Sequence, residues 1–422
     1  MKTFFLLLST ILVISCSSVE NKCTISGEII GRKANTLLLF KASKFPVYEA
    51  EIPITNSSFT YSFNFRQPEV YLLVFKDEFK KGSMSETPFF AEKGTIGFTI
   101  HSDKGLNGSV VRGHKLNDAL IDYDKELKDK FNDPAMKYTD SVNVMYRNGT
   151  VFTKEFQALQ DAVGKTNDPV TREQLMSEQR VLKSAGLMYN PKAKSCVQKK
   201  DSILEMETLW EFDYIDKNTS LLSLYLFMNQ IRDIATSNGW KALDDGSVKR
   251  VQANIDRYTK AFPGHPYGLI VKNTLDGLCN VHFGGKIIDF TASDVKGDSL
   301  SLSETIKGNK ITLLHFWSTW SVPTLNTSIE LIPVYKEFKN KGFDIVGITQ
   351  GFGKTDELVS FIQKANYPWK NLIDKDNKAG VWDKYNLSYQ SGGTFLINSS
   401  GVILAIDPTA DDVKRDLSKL LK

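Results

Sequence analysis

The stretch of this 422-residue chain best furnished for chemistry is HFWSTWSVPT, residues 315 to 324, with one histidine, two serines and two threonines inside ten positions. Ser321 as a nucleophile would do acyl transfer, and that needs a base within hydrogen-bond reach and a third group to orient it. His315 is the nearest histidine, but it sits six residues back along an apolar strand, where its ring should face the packing of a sheet. No Gly-x-Ser-x-Gly turn surrounds Ser321. A serine at an N-cap followed by proline in the first turn is also a good helix start, which accounts for Ser321 and Pro323 without catalysis.

The remaining reactive residues are scattered. His101, His114, His265 and His282 have no i,i+4 partners, so neither a metal nor another cofactor is expected. Gly353-Lys354-Thr355 ends like a phosphate loop, yet Ile348 stands where its first glycine would be, and a plain loop is the better account. The four cysteines are Cys16, Cys23, Cys196 and Cys279, with no CxxC pair and no zinc-ligand cluster among them. Whether Cys196 and Cys279 meet in a disulfide is left open by the sequence.

A net charge of +4 on 53 basic and 49 acidic residues is nearly balanced, so nucleic acid is not expected as a partner. The densest basic run, Lys192, Lys194, Lys199 and Lys200, reads as a solvated helix face. Lys2 and the apolar run Phe4 to Ile14 suit an export signal and fall short of the roughly 20 residues that span a bilayer. Val13-Ile14-Ser15-Cys16 resembles the bacterial lipoprotein box, which implies cleavage after residue 15, lipid on Cys16 and a membrane as partner.

Three kinds of periodicity follow. Residues 23–113 alternate with period two and read as a small antiparallel, sandwich-like β-module; the aromatic row Phe59, Tyr61, Phe63, Phe65 is assigned to its core rather than to a sugar platform. Residues 114–274 carry helical spacing, cut by Asp133-Pro134, Asn148-Gly149, Asp168-Pro169 and Asn190-Pro191, with Ser220 among the candidate caps before Leu221. Residues 275–422 alternate strand and helix: a strand over Ile311 to Trp317, a helix over Leu325 to Asn340, a strand over Phe343 to Thr349, a helix over Asp356 to Lys364, a strand pair from Thr394 to Ile406 and a closing helix from Ala410. Residues 16–22 remain as a tether.

This last segment resembles the thioredoxin-like fold in its membrane-anchored redoxin branch, the thiol-disulfide oxidoreductases and peroxiredoxin-like proteins of bacteria. The likeness is carried by Asp289-Phe290, Leu314 to Trp320, Lys341 to Ile348, Trp369 to Asp374, Tyr385, Thr394 to Ile397 and Gly401. The β-module, with Gly27, Pro68-Glu69 and the Gly108-Ser109 turn, is similar to the uncharacterised N-terminal module of exported lipoproteins of this kind. The resemblance implies an attacking cysteine at Ser321, a resolving one at Thr324 and a cis-proline at Gly392, so all three redox positions are degenerate. It also places Ile329 where the family has a helix-kinking proline and His315 where many members have a buried acid.

Exchange requires a thiolate whose pKa is depressed at a helix start, and no hydroxyl substitutes for it. The resemblance without its sulfur therefore implies a non-catalytic protein- or peptide-binding relative, with Trp317, Trp320, Pro323, Gly392 and Gly393 as groove residues, on the periplasm-facing side of a bacterial cell envelope. The alternative is a thiol-disulfide oxidoreductase or antioxidant protein of cell redox homeostasis that works through a remote cysteine, with Cys279 the first candidate.

Overall fold

The computed structural model describes residues 21–82, 85–101, 109–351, 355–387 and 392–421. The expected export signal, Cys16, Gly108 and the 352–354 part of the Gly-Lys-Thr loop lie outside the described residues. The chain forms two compact units, residues 1–118 and 119–422.

The first unit holds two four-stranded sheets. One has the order Ser58–Phe65, Asn21–Ile30, Gly94–His101, Val110–Arg112; the other runs Tyr48–Pro53, Thr36–Lys41, Val70–Phe75, Glu86–Phe90. Ile25, Phe59, Phe65 and Phe98 from the first sheet meet Leu37, Leu39, Leu73 and Phe89 from the second in one core. Tyr61 and Phe63 pack against it half-buried, so the aromatic row is core as its alternation indicates. One pairing departs from the antiparallel expectation: Asn21–Ile30 runs parallel to Gly94–His101. The chain builds the whole second sheet between these two strands, and a connection that long removes the hairpin constraint on direction.

In the second unit the breaks at Asp168-Pro169 and Asn190-Pro191 are also helix starts. Asp168 precedes Pro169–Ser184 and Asn190 precedes Pro191–Lys217; the side chain of each accepts from a first-turn N–H, Asn190 Oδ1 from Ala193 N at 2.8 Å. Ser220 and Ser223 form a capping box before Leu221–Ser237. Asp133-Pro134 does not break its helix. A five-residue π turn, Lys128–Asn132, leads straight into Asp133–Arg147, and the widened turn accommodates a proline that has no N–H to give. Pro266–Asn280, capped by His265 with Pro266 in its first turn, is one helix that runs across residue 275.

A seven-stranded sheet follows, in the order Ser299–Ser301, Thr291–Asp294, Lys370–Lys375, Phe343–Gly351, Ile311–Trp317, Gly393–Asn398, Ile403–Ile406. Ile311–Trp317 is parallel to Phe343–Gly351 and antiparallel to Gly393–Asn398. It is buried along its whole length, because Phe316 and Leu314 face one apolar layer and Leu313 the other. This is a thioredoxin-like α/β domain, preceded by a β-rich module and a helical region. The sequence divides the helices from the sheet at residue 275; in the structure both belong to one compact unit. Within it Arg232 donates to Asp383 at 2.9 Å, and Trp240 packs edge-on against Phe395 at 5.4 Å between ring centroids.

Candidate functional site

The central strand ends at Trp317 and delivers the chain to a turn and then to the helix Val322–Phe338, at the carboxyl edge of the parallel strands where open α/β sheets bind ligands. The turn is fastened from inside. Thr324 Oγ1 donates to the Ser321 carbonyl at 3.0 Å and accepts from the Ser318 N–H at 3.3 Å, while Ser321 N donates to the Ser318 carbonyl at 3.1 Å. Ser321 holds the N-cap position, but its side chain makes no capping bond; Oγ is buried and unpartnered. The hydroxyl cap read from the sequence is thus absent, and the Ser321 carbonyl, accepting from Leu325 N at 3.1 Å, starts the helix instead.

His315 is fully buried and engages Ser328 rather than Ser321. Its Nε2 lies 2.7 Å from Ser328 Oγ, which donates to the Thr324 carbonyl at 3.0 Å. With that proton committed, the imidazole donates from Nε2 and leaves Nδ1 unpartnered. Burial pushes its pKa down to about 4, so the ring is neutral. No hydrogen bond among the described residues joins a base to Ser321, and the geometry gives no acyl-transfer pair.

Trp317, read as a groove residue, lies beneath the turn instead. It is fully buried against Phe361 and Tyr367, and its Nε1 donates to Asn371 Oδ1 at 3.1 Å. Gly347 on the intervening strand makes this bond possible, since a Cβ there would lie 2.1 Å from Asn371 Oδ1 and 3.1 Å from Trp317 Nε1. The exposed apolar residues about the turn and the helix it opens are Trp320, Val322, Pro323 and Ile329, with Thr319 and Asn326 exposed among them. Val322 and Ile329 were not read as surface residues, although their spacing of two helical turns puts them on one face.

Gly392 closes the other side. Its φ is +62°, and a Cβ would lie 2.3 Å from the Phe316 carbonyl oxygen and 3.0 Å from Thr324 Cγ2, so only glycine fits this approach to the turn. Gly393 begins the next strand opposite Phe316. Gly392 also lines a cavity of about 210 Å³ whose other walls include Thr236, Trp240, Asn386, Leu387 and Asp407. Burial raises the Asp407 carboxyl pKa, and Oδ1 accepts from Thr394 N at 3.0 Å. Sequence reasoning missed Trp240 and Asp407, which lie far from the turn along the chain.

The structure therefore gathers Trp320, Ser321, Pro323, Thr324, Gly392 and Gly393 about the turn, with Trp317 as their support. It places no cysteine in the turn. Cys23 is buried in the β-module, which pushes its thiol up to about 11. Cys196 lies half-buried beside Val151 and Tyr189, and Cys279 ends the helix Pro266–Asn280, where burial and then Asp276 raise its pKa. These three thiols are free, and no group of three metal-binding side chains occurs among the described residues.

Residues 283–406 match the AhpC/TSA family, and residues 23–120 match a domain of unknown function, DUF4369. The protein named peroxiredoxin bcp in Coxiella burnetii (strain RSA 493 / Nine Mile phase I) is 32% identical over 139 residues, 31% of this chain and 89% of that protein. Through this segment the chain belongs to the AhpC/TSA family. The thiol-disulfide oxidoreductase ResA of Bacillus subtilis (strain 168) is 29% identical over 130 residues, covering 31% of this chain and 69% of that one. A thioredoxin domain of a thiol-disulfide oxidoreductase from Bacteroides vulgatus aligns with 34% of this chain and all of its own, at 24% identity and a TM-score of 0.30. In this AhpC/TSA domain the turn that opens the first long helix carries hydroxyl residues, Ser321 and Thr324 among them, and no sulfur.

Proposed function

We propose that the AhpC/TSA domain of this chain binds a protein or peptide partner without itself catalysing thiol-disulfide exchange or peroxide reduction. The chain works in the bacterial cell envelope, exported by residues 1–15 and held on a membrane surface by lipid at Cys16. The observation that carries the first part is the occupation of the turn. Thr324 uses its hydroxyl to fasten the turn, Ser321 has no base, and neither oxygen can form a disulfide. The exposed apolar strip Trp320, Val322, Pro323 and Ile329 supports docking, because tryptophan at such a surface concentrates binding energy. The remote-cysteine alternative is disfavoured at Cys279, whose pKa is displaced away from the thiolate form.

Insulin-disulfide reduction and peroxide consumption by the purified chain test the catalytic half: the expected result is no turnover above buffer, and turnover abolished by Cys279→Ala would reverse the reading. Crosslinking in native membranes tests the binding half. A partner captured by the parent chain should be lost from a Trp320→Ala/Val322→Ser variant, and equal capture by both chains would place docking elsewhere. Labelled palmitate should enter the parent chain and not Cys16→Ser; an unlabelled parent chain would refute the anchor.

A further inference from the structure

Two loops of the helical region, 148–153 and 185–190, are joined by Thr153 N to the Met188 carbonyl at 3.0 Å, Asn190 N to the Val151 carbonyl at 3.0 Å and Thr153 Oγ1 to the Leu187 carbonyl at 2.8 Å. Met145, Val151 and Ala193 form a small core beneath them. This joining brings together at one end the close of Asp133–Arg147, the start of Lys154–Lys165, the close of Pro169–Ser184 and the start of Pro191–Lys217. The segments concerned, 141–154 and 179–200, contain eight basic residues and no acidic one, with Asp140, Glu155, Glu178 and Asp201 standing just outside their ends and Arg180 and Lys200 paired with Glu173 and Asp201, in a chain whose charges otherwise nearly balance. Arg147, Lys154, Lys183 and Lys192 are exposed, and among the described residues none of the four is paired with a carboxylate. In the same segments three apolar side chains stand in solvent: Tyr146 is 64% exposed, Val181 63% and Leu187 51%.

We infer that this end of the helical region is a membrane-contact surface that rests on anionic phospholipid, independently of any lipid on Cys16. Exposed apolar side chains and a tyrosine on segments rich in cations match a bilayer interface, where apolar groups enter the acyl boundary and the cations stay with the phosphates. Six of the eight cations are lysines, which act as point charges rather than as forks that read one bound group. The charge pattern therefore favours a diffuse anionic plane over a peptide or nucleic acid with fixed contacts.

The test uses the full chain carrying Cys16→Ser, so that no lipid is attached, in co-sedimentation with vesicles of phosphatidylglycerol and phosphatidylcholine or of phosphatidylcholine alone. Every variant keeps the N-terminal apolar run, so differences between chains report the helical end. The expected result is tighter binding to the anionic vesicles, weakening with salt, and a loss of roughly tenfold or more on Arg147→Glu/Lys183→Glu/Lys192→Glu. Tyr146→Ser/Val181→Ser/Leu187→Ser should bind more weakly while keeping the salt dependence. All six positions are exposed, and an unchanged thermal midpoint certifies the fold. Binding that ignores the charge reversals or the phosphatidylglycerol would overturn the inference. So would a polyglutamate peptide or a DNA duplex that binds at the same salt as tightly as the anionic vesicles.

Discussion

Thr324 holds its turn with its hydroxyl, and Ser321 keeps a buried oxygen with nothing to bond. Ser321→Cys/Thr324→Cys should therefore gain measurable insulin reduction, since a thiol at this helix start meets the dipole that lowers cysteine pKa from about 8.5. A folded but silent double variant would mean that the groove at Gly392 has changed as well. Gly392→Ala should cost about 1–3 kcal/mol in urea unfolding, because its φ is left-handed and the Phe316 carbonyl leaves no room. His315 adds a pH dependence. Its folded pKa, about 4, lies below the ordinary value of 6.5, so the unfolded chain takes the proton first as pH falls. The stability from keeping the ring neutral is complete above about pH 6.5 and is lost progressively toward pH 4. Comparing urea midpoints at pH 7 and pH 5, the parent chain should lose about 2 kcal/mol more than His315→Leu, and equal losses would refute the buried neutral ring. The identities of these residues were open in the sequence, but their bonds were not: Ser321 was read as a capping hydroxyl, and in space its oxygen caps nothing.

Helix starts were the most legible elements, because a cap is a local bargain between a side chain and the N–H groups two or three residues on. Ser220 caps as its sequence context indicates, and Asp168 and Asn190, legible in the sequence as breaks in the helical spacing, also cap the helices that follow. Ser220→Ala should lower stability by about 1 kcal/mol in urea, and a loss near zero would show that the capping box does not stabilise Leu221–Ser237. Asp133-Pro134 misled because a π turn can absorb a proline, which no rule of spacing announces. Lys370–Lys375 does not show as a strand in the sequence: its alternation is hidden, since Asn371 to Asp374 are buried inside the sheet, between parallel Phe343–Gly351 and antiparallel Thr291–Asp294. The parallel pairing of Asn21–Ile30 was equally out of reach, because direction is fixed by where the intervening chain travels.

At the scale of the second unit, helices and sheet share one body, and Arg232 with Asp383 lies where they meet. The Asp383 side chain is nearly inaccessible, so Arg232→Ala would deprive a buried carboxylate of its cation and should cost about 3 kcal/mol. Urea unfolding followed by tryptophan fluorescence should show one transition displaced as a whole; a sheet transition that stays put would separate the two layers energetically. Periodicity and residue type are properties of the chain, so the order of β-module, helices and thioredoxin-like sheet and the lack of sulfur at positions 321 and 324 are written in it directly. Only the tertiary structure decided that Trp317 supports the turn from below, that Trp240 reaches Phe395, and that lysines far apart in the chain share one end of the helices. Each of those depends on which distant surfaces exclude water together, and local spacing does not encode that.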